Sequence, residues 1–156
     1  MILVTSCGVV RPARQDPVIE SSEVNLLNVF GAAIRSLKPG KAKAIKILSE
    51  ELTLYRGESG APHLVAGRCP HRRTLLHTGW VQGEEVRCIY HGWKFSHDGV
   101  CLQLPSEPAG SAMLGRTRLK AYPVVERGGV IWAYMGPLDK RPSEPDYEWT
   151  RAPATH

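Results

Sequence analysis

Two short segments of the sequence carry side chains that bind metals: Cys69-Pro70-His71, followed by Arg72-Arg73, and Cys88-Ile89-Tyr90-His91, followed by Gly92-Trp93. Sixteen residues, Arg72 to Arg87, lie between His71 and Cys88. Each segment supplies one soft thiolate and one imidazole, so together they offer two Cys and two His. A mononuclear zinc takes such a set in a tetrahedron. A [2Fe–2S] cluster also takes it, with two Cys on one iron and two His on the other. Zinc fingers usually pair like with like along the chain. Here each segment mixes the two types, as C-x-H and then C-x-x-H, which matches a cluster held between two loops that each send one donor to each iron.

The flanking residues carry a resemblance. Cys69-Pro70-His71-Arg72, Arg87 to Phe95, Leu104 to Pro108, Ala121 to Gly129 and Ile131 to Pro137 occur in that order. Together they resemble the N-terminal Rieske domain of ring-hydroxylating and O-demethylating oxygenase α-subunits, the phthalate-dioxygenase-like branch above all. The resemblance runs from about Ile45 to Pro137. It implies one [2Fe–2S] cluster with Cys69 and Cys88 on one iron and His71 and His91 on the other. It implies an all-β fold of small stacked antiparallel sheets with the cluster between two loops at one tip, and a third loop around Pro105 that shields it. It also implies one-electron transfer from an electron-donating reductase to an oxygenase catalytic domain, a cytoplasmic setting and a homotrimer. High-potential members of the family carry two further Cys joined in a disulfide. Thr74 and Tyr90 stand at those positions here, and Trp93 replaces the Ser of that class, so a low potential is expected.

The elements that must position the donors follow from the hydrophobic period. Residues 1–40 read as an N-terminal arm and a helix: Leu26, Leu27, Phe30, Ile34 and Leu37 recur at helical spacing from Glu23 until Pro39-Gly40. From Lys41 the period becomes that of strands. Lys43–Leu48 and Leu52–Arg56 are expected as strands around a Ser49-Glu50 turn, Pro62–Ala66 as a strand leading into Cys69, and Glu85–Cys88 as one delivering the second loop. His97-Asp98-Gly99 is a turn signal, and Lys120–Glu126 with Val130–Met135 makes a closing hairpin. Residues 41–137 form the Rieske domain in this reading. Residues 138–156 have a linker composition, and Asp146-Tyr147-Glu148-Trp149 resembles the lead-in to the family's catalytic domain, which is absent from this chain.

At 156 residues the chain suffices for one domain with a real core. No apolar run approaches a membrane span, and Met1 to Cys7 lacks the basic lead of a signal peptide. The net charge of +5 is scattered rather than interleaved with aromatics on one face, which argues against nucleic acid. Arg68, Arg72 and Arg73 cluster beside the donors, either as solvated surface or as a guide for an acidic redox partner. Of four Cys, Cys101 reads as a buried inert thiol, a usage that suits a reducing cytosol. His63, His77 and His97 read as packed or surface residues. The oxygenase resemblance would need a mononuclear iron held by two His and a carboxylate; beyond His97 only His156 follows, so no such site is expected in this chain, nor oxygenase activity from it alone. A free-standing Rieske ferredoxin and a zinc-binding structural module are the alternatives.

Overall fold

From Lys41, where the period of two starts, strands follow one another to Tyr134, and two short strands precede them. The computed structural model describes residues 2–4, 29–32 and 37–151. The strands are β1 (Ile2–Val4), β2 (Val29–Ala32), β3 (Ala42–Ile47), β4 (Glu50–Arg56), β5 (Pro62–Ala66), β6 (Trp80–Gln82), β7 (Glu85–Arg87), β8 (Lys94–Phe95), β9 (Cys101–Gln103), β10 (Ala121–Tyr122), β11 (Val124–Arg127) and β12 (Val130–Tyr134). The chain divides into two compact units, Ser36–Pro123 and Met1–Arg35 with Val124–His156.

The unit Ser36–Pro123 holds both metal-binding segments. It contains two four-stranded antiparallel sheets, ordered β10-β5-β4-β3 and β6-β7-β8-β9. β3 and β4 join through Leu48-Ser49, both with positive φ, 47° and 67°. A two-residue turn of that kind follows the twist of the strands. It falls one residue before the expected Ser49-Glu50, because no Gly or Asn marks it. β5 spans the expected residues and runs directly toward Cys69. β6 is an addition: three residues in the spacer between the two segments, too short to show a period.

The core of this unit is Tyr55, Val65, Leu76, Val86, Phe95 and Leu119, closed around Cys69, Cys88, Trp93, Cys101 and Leu104. The two candidate donor cysteines, Cys69 and Cys88, are thus part of the hydrophobic core. Burial of these side chains, worth about 1.5–3 kcal/mol for each large apolar one, is inseparable from placing the donors.

In the other unit the sheet order is β1-β2-β12-β11, with β1 and β2 parallel. Val29–Ala32 is a strand, paired antiparallel with Ile131–Tyr134, which corrects the helix expected from Glu23 to Leu37. Val29, Phe30 and Gly31 are poor helix formers, and pairing with β12 gives their backbone a ladder. The rest of that expected helix, apart from Leu37, lies outside the described residues. The strand expected over Lys120–Glu126 is cut at Pro123, which has no N–H for a ladder; β10 pairs β5 and β11 pairs β12. After β12, Tyr147 and Trp149 stack with planes 1° apart, and each ring centroid lies 5.9 Å from that of Trp132.

Polar contacts to the β6–β7 turn link the two sheets of this unit. His63 Nε2 on β5 lies 2.6 Å from Glu84 Oε2 in the β6–β7 turn, and the Tyr55 hydroxyl donates to the Glu84 carbonyl at 3.0 Å. The His63 hydrogen bond, then those from the Ser59 N–H and hydroxyl, lowers the Glu84 carboxyl from 4.5 to about 2. A carboxyl depressed in the folded state stabilises the fold above its unfolded pKa and loses that contribution as pH falls through the folded one. Denaturant titrations between pH 5 and about 2 are therefore expected to show falling stability that flattens in Glu84→Gln. An unchanged pH slope in that variant would show that the contact contributes nothing.

Candidate metal centre

The two metal-binding segments are one turn used twice. In the first, the Cys69 N–H donates to the Thr74 carbonyl at 2.9 Å and the Cys69 carbonyl accepts from the Arg73 N–H at 2.9 Å. In the second, the Cys88 N–H donates to the Trp93 carbonyl at 2.8 Å and the Cys88 carbonyl accepts from the Gly92 N–H at 3.1 Å. Each cysteine thus bonds the residues four and five places on. The residue four places on has a left-handed φ in both, 61° at Arg73 and 71° at Gly92.

An arginine before each cysteine braces the turn. Arg68 Nη1 donates to the Arg73 carbonyl at 3.2 Å, and Arg87 Nη1 donates to the Gly92 carbonyl at 3.0 Å. Each guanidinium is held in turn: Arg68 by the Glu51 carboxylate at 2.5 and 3.2 Å, Arg87 by Gln82 at 2.8 Å and Gln103 at 2.5 Å. Arg68 is therefore an ion-paired brace, and the exposed basic pair beside the donors reduces to Arg72 and Arg73, which make no ion pair among the described residues.

The turns sort the donors by type. Cys69 and Cys88 are each 1% exposed and lie within hydrogen-bonding reach of one another. Burial pushes the Cys69 thiol up to about 11; the neighbouring Cys88 adds to the shift, and the N–H groups of His71 and Arg72, which bond its sulfur, oppose it. The imidazoles of His71 and His91 lie side by side, ring centroids 4.6 Å apart and planes tilted by 58°. Both are half-buried, with Pro70, Arg72, Arg73, Ile89 and Tyr90 exposed around them. The Tyr90 ring lies 3.9 Å from that of His91.

These residues fit a [2Fe–2S] cluster. His71 Nδ1 is buried with no hydrogen-bond partner, a costly state for a ring nitrogen that a metal bond would relieve. A buried thiol is a poor acid, and a metal that replaces its proton supplies the missing positive charge. Among the described residues no group of three or more His, Cys, Asp or Glu is placed to hold one metal ion. Two donors of each kind in two pairs is what two irons ask for.

A third segment closes on the second turn. Leu104 is buried in the core, and a Cβ at Gly92 would stand 3.4 Å from the Pro105 ring. The Trp93 indole donates to the Ser106 hydroxyl at 2.9 Å. His63 lies away from the donors, bonded to Glu84 and 5.0 Å from His97. His77 sits in the 3-10 turn Leu76–Thr78. Cys101 is buried on β9, its thiol 3.7 Å from the Gln103 carbonyl; Cys7 lies outside the described residues. Sequence reasoning missed the braces. Their only trace is the repeated Arg-Cys pair at 68–69 and 87–88.

Residues 28–123 match the profile of the family described as "Rieske [2Fe-2S] domain". The chain belongs to that family. Among curated proteins, this Rieske chain is 44% identical over 108 residues to the phenoxybenzoate dioxygenase subunit alpha of Ectopseudomonas oleovorans, covering 69% of this chain and 26% of that one. It is 40% identical over 109 residues to the 5,5'-dehydrodivanillate O-demethylase oxygenase subunit of Sphingobium sp., covering 68% and 26%. Among solved structures, the reduced complex between oxygenase and ferredoxin in carbazole 1,9a-dioxygenase aligns with a TM-score of 0.65 at 29% identity, covering 74% of this chain and 30% of that one. The chain thus spans about a quarter of the length of these curated relatives. The Rieske family transfers electrons through a [2Fe–2S] cluster, and that is the function of this domain.

The paired turns make a direct expectation. Gly92→Ala puts a Cβ on a left-handed residue and should destabilise the holoprotein by about 1–2 kcal/mol, whereas Arg73→Gly relieves the same strain and should stabilise it by about 1 kcal/mol. Urea denaturation of both variants checks the pair. Equal effects of one sign would show that the turns are not equivalent.

Proposed function

We propose that Cys69 and Cys88 hold one iron and His71 and His91 the other, and that the chain is the Rieske part of an aromatic-ring-hydroxylating or demethylating oxygenase. The observation that carries this reading is the sorting of donors across the loops, thiol beside thiol and imidazole beside imidazole. When bound, the cluster supplies a one-electron couple at a higher potential than an all-Cys cluster, because neutral imidazoles replace two thiolates.

The chain's own residues set up that couple. The core around Cys69 and Cys88 excludes water from the sulfur side. The N–H groups of His71 and Arg72 point at the Cys69 sulfur and offset its negative charge. On the other side the half-buried imidazoles lie near the surface, which is where a donor or acceptor must approach. Ile89 and Tyr90 are 47% and 62% exposed there, beside the charges of Arg72 and Arg73. Such a rim suits an acidic electron-donating reductase or ferredoxin, drawn in by charge and seated on the apolar pair. An oxygenase catalytic domain carrying a mononuclear iron would be the electron acceptor. The same reading places the chain in the cytoplasm, where reducing conditions keep Cys101 a thiol, and assembles it as a homotrimer.

The test begins with metal content. Purified protein should carry about two irons and two inorganic sulfides per chain and give a Rieske-type EPR signal when reduced. Alanine at Cys69, His71, Cys88 or His91 should abolish that signal, and alanine at His63 or His97 should not. The midpoint should lie low in the Rieske range, roughly −150 to 0 mV at neutral pH. Reduction by an acidic donor should slow as salt rises, and Arg72→Gln with Arg73→Gln should weaken that dependence. One tightly held zinc in place of iron would sink the proposal.

A further inference from the structure

Three loops meet on one indole. Trp93 follows the second turn and is 1% exposed. Its ring lies 4.5 Å from the His71 imidazole of the first turn, with planes 3° apart. Its Nε1–H donates to the Ser106 hydroxyl of the third loop at 2.9 Å. A tryptophan that only filled the core would need none of this, because apolar burial has no direction. The coplanar contact does have one. Rotation of the His71 ring out of that plane would drive its edge into the indole. The ring plane also decides where the buried, unpartnered Nδ1 points. The His91 ring lies 4.6 Å from that of His71 at a tilt of 58°, so the parallel contact of His71 is with the indole.

We propose that Trp93 is a positioning residue for the metal centre: pinned by the Ser106 hydroxyl, its indole fixes the plane of the His71 imidazole and couples the third loop to one of the four donors. This rests on the reading of His71 as a donor. The coupling is directional, from an exposed serine through a buried ring to a metal-facing nitrogen. A change in the third loop is therefore felt at His71 before it is felt at His91, whose own neighbour is the exposed Tyr90.

The experiment is pulsed EPR on the reduced holoprotein, reading the nitrogen couplings of the two imidazoles, together with the rate of iron loss to a chelator. Ser106→Ala removes the pin and leaves the core intact. Trp93→Phe keeps a ring and loses the N–H. Each should shift one of the two couplings, leave the other, and speed iron loss about 10–100-fold. Ser106→Thr restores the hydroxyl and should restore both values. If Ser106→Ala and Trp93→Phe keep both couplings and the native rate of iron loss, Trp93 only packs the core and the proposal is overturned. Wild-type protein without a two-iron signal would be a different failure, one that removes the donor assignment and this inference with it.

Discussion

Each metal-binding loop depends on a backbone turn that closes on its own cysteine. The Cys N–H and carbonyl bond the fifth and fourth residues beyond, so the side chain is carried inward while the residues between are pushed out. That constraint makes one donor per loop a core residue and the other a surface residue. Because the turn is used twice, the two thiols meet in the core and the two imidazoles meet near the rim. The left-handed residue at the fourth place is the conformational cost of the turn. Glycine meets it in one loop; in the other Arg73 adopts it, with its carbonyl braced by Arg68.

The electrostatics follow from this sorting. A thiolate is the charged donor, and burial opposes its formation, which pushes the Cys69 thiol up. Iron held at the proposed site would remove that penalty by replacing the proton, so binding and folding would stabilise each other. Neutral imidazoles need no such compensation and tolerate a half-exposed site. The half-exposed imidazoles and the exposed cations Arg72 and Arg73 share the outer side, where the proposed redox partner would arrive. Oriented N–H groups and a dry core on the inner side, with cations on the outer, give the two halves different tasks.

The four candidate donors stood out in the sequence because few residue types can bind iron and their mixed spacing was informative; the structure brings the two thiols together and the two imidazoles together. β5 was legible because Pro62 and the buried pair Leu64 and Val65 bound it clearly. The rest failed for physical reasons. Apolar spacing suggested a helix through Val29–Ala32, but backbone pairing with β12 decides the conformation there. Leu48-Ser49 makes a left-handed turn without the residues that advertise one. Pro123 divides what looked like a single strand between two sheets. Arg68 looked like a free surface charge because its partner, Glu51, lies 17 residues back. The stack of Trp93 on His71 has no signature in one dimension, since it joins residues from separate loops.

In the proposed centre the four donors divide by type between two irons. Mössbauer spectroscopy of the oxidised protein loaded with iron-57 addresses it without reference to activity or partner. The division predicts two quadrupole doublets of equal area with distinct isomer shifts, one for an iron bound by Cys69 and Cys88 and one for an iron bound by His71 and His91. A single doublet, as from two irons with the same ligands, would contradict it.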